Sequence, residues 1–454
     1  MVKTCGPSTG PPASSVFRRY MRDQLSRIRQ SHMVRDTGWV MGGQGISFVL
    51  QAGYFVMLAR MLGVEEFGVF AGASAFVSLA TPFSSLGAHM LFMRYVTADQ
   101  RQFAVYWGNI LLSAMVANAV LVAALWATAG HLLSPASAAV IVPVALANCL
   151  LGQLIQGVGV IFQTYLEMHR VALWNSALNA LRFLAVALMM LALHHATASQ
   201  WAWTSAFIAL VVSVLAISVV TVRFGRPKLD PGLMIAGIGE GLLYSMSGST
   251  ASAYNDLDKM LLSHYRMNVA NGLYTTAYRI IDVAAIPVSS LESASLPRFF
   301  EMAKNGISAA VRFAWRMLGR AAVVGAVAGI AVFLCAPLIP ILLGRSFAQS
   351  VIALRWLCLI PLFRSVHQIT GAALTGTGHQ KYRTSAQVAV ALLNLGLNLV
   401  WIPSHGWLGA AWASLITDGV LGILCFSTLA CIGRSARKRT ECSAGVRGAC
   451  RSSE

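Results

Sequence analysis

The chain has 454 residues, 57% hydrophobic and 11% charged, with a mean hydropathy of +0.66. A soluble protein of this size needs far more charge to cover its surface. That excludes a soluble enzyme, and it excludes nucleic acid as partner despite 34 Lys+Arg against 16 Asp+Glu.

Residues 1–37 are polar and basic, with Lys3, Arg18, Arg19, Arg22, Arg27, Arg29 and Arg35. Gly6-Pro7 and Gly10-Pro11-Pro12 predict an irregular start, and residues 16–30 fit a basic amphipathic helix on a membrane surface. No small-residue cleavage site follows, so the first apolar stretch is expected to be retained. Residues 102–166 and Phe183–Val222 contain no Asp, Glu, Lys or Arg. Each run suffices for about two crossings at roughly 20 apolar residues per helix. Lipid offers no partner for open backbone groups, so the crossings are helices.

The length rule predicts twelve spans, at about 38–59, 68–90, 106–129, 137–160, 171–193, 201–222, 233–255, 272–296, 319–343, 352–375, 384–402 and 407–432. The seventh is rich in Gly and Ser and carries Glu240; small residues permit close helix approach. On this layout 25 Lys and Arg fall on one side, tails included, and only Arg60, Lys259, Arg266 and Arg345 on the other. The asymmetry predicts cytoplasmic termini, and the basic tails suit anionic lipid headgroups. The expected organisation is a tail (1–37), a six-helix lobe (38–222), a linker (223–232), a second six-helix lobe (233–432) and a tail (433–454). Outer loops such as 194–200 and 403–406 leave no room for an appended catalytic domain.

No two of the eight cysteines have CxxC spacing and no histidine stands in ligand register with them, so neither a disulfide nor a metal is expected. Four lie in apolar segments, where Cys acts as a small hydrophobe. No P-loop, nucleophile elbow or paired catalytic carboxylate appears, and no cofactor or catalytic residue is expected.

The chain carries an internal repeat. Gly68-Val-Phe answers Gly272-Leu-Tyr, and Pro82-Phe-Ser-Ser-Leu answers Pro287-Val-Ser-Ser-Leu, at offsets of 204 and 205. This sets span two against span eight, running in the same direction, as in two halves related by an axis along the membrane normal. Proline in both predicts a kink in each.

The string LARMLGVEEFGVFAGASAFVSLATPFSSLG (58–87) resembles the first block of Wzx-type oligosaccharide flippases. DKMLLSHYRMNVANGLYTTAYRIIDVAAIPVSSLESASLPRFF (258–300) is similar to the block of their second half. These belong to the multidrug/oligosaccharidyl-lipid/polysaccharide exporter superfamily. The resemblance implies an all-α polytopic membrane protein, 12 to 14 helices in two lobes forming an inverted V about a central cavity. It implies a bacterial inner-membrane protein that flips undecaprenyl-diphosphate-linked glycans to the periplasmic leaflet for surface polysaccharide synthesis. A polysaccharide polymerase and a chain-length regulator are the protein partners it suggests.

A diphosphate moved bare through hydrocarbon costs tens of kcal/mol by Born estimates, so its carrier needs a wet cationic cavity. Arg182 lies at the centre of span five, where an Arg costs roughly 2.5–3.5 kcal/mol on insertion scales. Its planar fork suits phosphate; the alternative is a structural Arg bound to carbonyls or a buried acid. Arg364 in span ten and Arg279 in span eight are further candidate substrate contacts. Arg279 and Asp282 are three residues apart on one helix face, so they pair either as a structural salt bridge or as part of the pathway. Asp282 and Asp418 are candidate ion-coupling residues, the latter without a local partner. Asp256 and Asp258 are expected at a solvated helix end, and Arg355 near the outer interface. Tyr54, Asn175, Asn179, Asn394 and Asn398 are candidate sugar contacts, with packing the alternative. Two other readings stay open: a cation-coupled drug exporter, which acidic cavities would favour, and a membrane glycan polymerase or ligase, which needs a larger outer loop.

Overall fold

The structure, a computed structural model, describes residues 49–193, 195–304 and 306–451. The basic N-terminal tail, the first residues of span one and His194 lie outside these, as do the side chains of Asn175, Glu240 and residues 436–451. Among the described residues all regular structure is helical. Helix α1 (49–80) runs into a 3₁₀ turn at Thr81–Ser85. Then come α2 (Ala88–Ala98), α3 (Phe103–Leu132), α4 (Pro135–Ala139), α5 (Ile141–Ala145), a π turn (Leu146–Leu151) and α6 (Gly152–Thr164). Helices α7 (Met168–Ala192) and α8 (Ala198–Phe224) complete the first half. The second half holds α9 (Pro231–His264), α10 (Asn268–Lys304), α11 (Ile307–Cys335), α12 (Ile339–Leu343), α13 (Ser350–Leu357), α14 (Ile360–Gly376), α15 (Gln380–His405) and α16 (Trp407–Arg451).

Among the described residues, nine helical stretches are long and apolar enough to cross a membrane. Three differences separate nine from twelve. Spans one and two are joined in a single stretch, Val49–Ala98. Helices α9 and α10 do not qualify, although they are among the longest, because both carry several charges. Their charges are where the site lies. Helix α9 also extends nine residues past the expected end of span seven, at 255, to His264.

The two prolines of the repeat differ. Pro82 opens the 3₁₀ turn that breaks span two, whereas Pro287 sits inside an unbroken α10. Pro82 thus interrupts its helix, and α10 continues through Pro287.

The halves are nevertheless built alike. The chain reverses at Leu166, Arg266 and Gly378, all with positive φ (60°, 59° and 80°). In each case the next residue donates its N–H five residues back, at 2.8, 2.9 and 2.8 Å, and the reversing residue donates three back. This is the Schellman pattern that satisfies orphan helix carbonyls. Gly63 (φ 71°) takes the same left-handed conformation between spans one and two. The turns at 63 and 266 stand at the arginine-poor end, those at 166 and 378 at the arginine-rich end.

At the arginine-poor end the repeat meets itself. A Cβ on Gly68 would overlap the Asn268 carbonyl, and one on Gly272 would overlap the Val64 carbonyl. Both pairs are related by the same offset of 204, so the contact is reciprocal about a pseudo-two-fold axis. Supporting bonds repeat as well. Ser137 Oγ donates to Val69 O, and Ser350 Oγ to Leu273 O, each at 3.0 Å. Arg60 Nη2 reaches Ile341 O at 2.9 Å, while His264 Nδ1 lies 3.3 Å from Leu132 O.

Buried apolar clusters follow the same plan. One cluster, with Leu58, Phe67, Trp201, Tyr274, Phe347 and Ile402, draws on both halves. Toward the arginine-rich end the clusters separate, one around Phe92, Trp107 and Phe162, the other around Phe299, Ile369 and Leu429. Helix α9 bridges them: Gly241 presses on Leu86 and Gly87, and Ser249 Oγ donates to Leu79 O at 2.8 Å.

Candidate functional site

Arg182 lies on α7, whose neighbour Phe183 packs its ring on Gly53 of α1. That contact brings Arg182 beside Tyr54, whose ring lies 5.5 Å from Trp201 (centroid distance). Arg182 Nε is buried and has no hydrogen-bond partner. Arg279, exposed on α10, also lies within electrostatic reach of the Tyr54 hydroxyl. Among the described residues neither guanidinium has an ion-pair partner. Two cations thus act on one phenol, one from each half, and Arg279 also lies within electrostatic reach of Asp256.

The expected Arg279–Asp282 pair does not form. Asp282 Oδ1 instead accepts from Arg364 Nη1 at 2.9 Å, across the gap between α10 and α14. Arg364 Nη2 also donates to the Tyr278 hydroxyl at 3.2 Å. Helix i,i+3 spacing permits a pair without dictating it, and Arg364 offers the carboxylate a less exposed partner. Arg364 is therefore spent on protein, unlike Arg182.

The end of α9 is a second correction. Asp258 and Lys259 are 3% and 5% exposed, so this is no solvated helix end. Lys259 Nζ contacts Asp256 at 3.1 Å and Asp258 at 3.3 Å, and lies 4.4 Å from the centroid of the Tyr278 ring. The Tyr274 hydroxyl donates to Asp258 and lies 2.9 Å from Ser414 Oγ. Ser78 Oγ donates to Asp256 at 2.7 Å, tying the cluster to α1. A lone ammonium in a low-dielectric interior is costly; two carboxylates and an aromatic face offset that cost.

Asp418, expected without a local partner, is 1% exposed and partnered at one oxygen only, its Oδ2 having no hydrogen-bond partner. Its Oδ1 accepts from Tyr254 at 2.5 Å and lies 3.5 Å from His367 Nε2. Asn394 and Asn398 are buried, bonding to Thr417 and to each other at 3.1 and 2.8 Å, so in this structure both pack inside the second half. Arg355 lies over the Phe333 ring at 5.2 Å.

Sequence reasoning overlooked Lys259, Tyr274, Tyr278, Tyr254 and His367. Lys259 was counted among loop cations. One signal was available: Asp258, Lys259 and Tyr274 occur within two helices otherwise dominated by small and apolar residues, where a charge needs a partner.

The sequence pattern of the polysaccharide biosynthesis protein family matches residues 33–303. No curated protein sequence matches the chain. An inward-facing multidrug resistance MATE family transporter of the MOP superfamily superposes with a TM-score of 0.72 at 13% identity, covering 88% of this chain and 99% of the other. The lipid II flippase MurJ, in an inward closed conformation, gives 0.70 at 12% identity, covering 87% and 90%. An outward-facing MATE transporter gives 0.56 at 12% identity, covering 89% and 96%. The fold is thus the two-lobe transporter fold of that superfamily.

Proposed function

We propose that this chain, which belongs to the polysaccharide biosynthesis protein family, is a flippase for undecaprenyl-diphosphate-linked oligosaccharides. It moves them from the cytoplasmic to the periplasmic leaflet of a bacterial inner membrane, with both termini cytoplasmic. The observation that carries this reading is Arg182 beside Tyr54, its Nε buried and without a hydrogen-bond partner, with the exposed Arg279 of the other half in reach of the same phenol. A diphosphate headgroup brings the charge these cations lack, and Arg binds phosphate through parallel hydrogen bonds. The isoprenoid chain stays in lipid throughout.

On this reading the arginine-poor end faces the periplasm. The lobes touch there and their cores separate toward the cytoplasm, the arrangement of a carrier loading its cargo. Transport then requires the Gly68–Gly272 seam to open as the cytoplasmic side closes. Asp282 with Arg364, and Asp418 with His367 and Tyr254, are the groups able to couple an ion to that exchange. The likeness to a lipid II flippase supports the cargo class, and the family supports the polysaccharide pathway. A polymerase and a chain-length regulator would receive the product.

The drug-exporter reading asks for an acidic cavity, whereas Asp256 and Asp258 are engaged by Lys259 and Asp282 by Arg364. The experiment is a deletion strain. Its lipid-linked glycan is expected to accumulate in the inner leaflet, inaccessible to a periplasmic glycan-modifying probe, with drug susceptibility unchanged. Normal surface polysaccharide in that strain refutes the flippase; raised drug sensitivity alone points to the exporter.

A further inference from the structure

At the arginine-poor end a pocket of about 370 Å³ opens between the halves. Glu65 enters it from the turn of span two. Arg266, Met267 and Asn268 come from the turn before α10, Gln349 from the residue before α13, and Trp407 from the start of α16. We infer that this pocket binds free saccharide at the periplasmic mouth, and that it does so only while the two lobes are together there. The inference rests on the flippase reading for its ligand class and on the geometry for its location.

Three observations support it. First, the polar groups here are unspent. Next door, Glu66 accepts from the Ala198 N–H at 2.6 Å, and Asn268 Oδ1 accepts from Ser134 Oγ at 3.0 Å. Among the described residues the side chains of Glu65, Arg266 and Gln349 have no hydrogen-bond or ion-pair partner. Glu65 and Arg266 line one pocket with opposite charges yet do not pair. A carboxylate, a guanidinium and a primary amide offer acceptors and donors in planar pairs, the set that matches adjacent hydroxyls of a sugar ring.

Second, Trp407 is half-buried, whereas Trp201, near the start of α8 in the other half, is 0% exposed and packed beside Tyr54. An indole left partly open offers a flat apolar face beside polar groups, suited to the C–H face of a pyranose. The volume lies at the small end of ligand pockets, enough for one or two sugar rings.

Third, Arg266 holds φ at +59° without being glycine. Of the analogous turns, those at 63 and 378 use glycine and that at 166 uses Leu166 at φ 60°. A left-handed non-glycine residue costs about 1–2 kcal/mol, and such strain gathers at ligand clamps. Here it places a long cationic side chain at the rim.

Glu65 comes from one lobe and the other lining residues from the second, so the pocket is complete only in the seam-closed state. A ligand that binds one state alone shifts the population toward it. Free glycan at the outer face would hold the carrier inward-facing, a brake by its own product class.

The test uses the full-length protein in lipid nanodiscs and titration calorimetry. The probe is the oligosaccharide released by mild acid from the lipid-linked pool of the expressing cells. Wild type is expected to bind it; Trp407→Ala and Gln349→Ala each weaken binding about tenfold or more. Trp407→Phe restores most of it, which separates the site from a folding defect. Gly68→Val, which removes no lining side chain but wedges the seam, weakens binding too. Arg182→Ala leaves it unchanged. No binding by wild type, or equal binding by Trp407→Ala, overturns the inference. Trp407-dependent binding in a protein that fails to move the lipid-linked glycan defeats the flippase reading and leaves the pocket standing.

Discussion

The two lobes handle buried charge in opposite ways. In the second, Lys259 sits between Asp256 and Asp258, Arg364 holds Asp282, Arg383 holds Glu292, and Asp418 meets His367. In the first, the described ion pairs join Glu167 to Arg170 and Arg223 at the arginine-rich end, and Arg182 stands in α7 with none. A neutralised cluster rigidifies the lobe that contains it. An unneutralised cation stores an unmet demand for an anion. The comparison therefore assigns a structural role to the Lys259 cluster of the second lobe and a cargo role to Arg182 of the first.

The sharpest way to break this contrast is Arg182→Ala. Transport of lipid-linked glycan into the outer leaflet of reconstituted vesicles is expected to fall roughly a hundredfold, the loss of a bidentate charge-assisted contact in low dielectric. Thermal stability in detergent should hold or rise, because the variant removes an uncompensated buried cation. A fall in stability instead would make Arg182 structural and erase the distinction.

Lys259→Met is the matching change in the second lobe. It strands two carboxylates and is expected to cost about 3–5 kcal/mol of stability, read as a lowered melting temperature. Adding Asp258→Asn should return part of that loss. If Lys259→Met melts like wild type, the cluster is no structural core.

Smaller effects probe the seam, which is symmetric in backbone and asymmetric in chemistry. On one side Ser134, Ser137, Ser263 and Asn268 form a hydrogen-bonded set. On the other, Phe55, Phe67 and Phe347 meet edge to face at 5.7 and 6.3 Å between ring centroids. Gly68→Val is expected to destabilise the closed seam by about 1–3 kcal/mol through overpacking, seen as faster disulfide-reporter separation across it. Ser350→Ala removes one bond and should cost about 1 kcal/mol, whereas Ser137→Ala also breaks its bonds with Ser134 and Ser263 and should cost more. Equal costs would erase that asymmetry.

Much of this was legible before any coordinates. The repeat of Gly68-Val-Phe and Gly272-Leu-Tyr predicted two like halves, and the structure showed that its glycines are where the two halves' backbones come closest. Arg182 stood out because a cation at mid-span is expensive whatever surrounds it. Other features were hidden for reasons that are equally physical. The reach of α9 past residue 255 was masked by its own charges, which read as a loop until their partners on α1, α10 and α16 are known. Asp282 looked paired to Arg279 because sequence shows neighbours along one helix and none across to α14.

Sequence alone thus determined the solvent, the helical class, the two-fold plan and the cost of each intramembrane charge, since these depend on composition and spacing. Which charges are satisfied was decided only by the tertiary structure. Pairing in a low-dielectric interior depends on a few ångströms between residues far apart in the chain, 164 positions for Tyr254 and Asp418 and 178 for Ser78 and Asp256, and no local pattern encodes that distance.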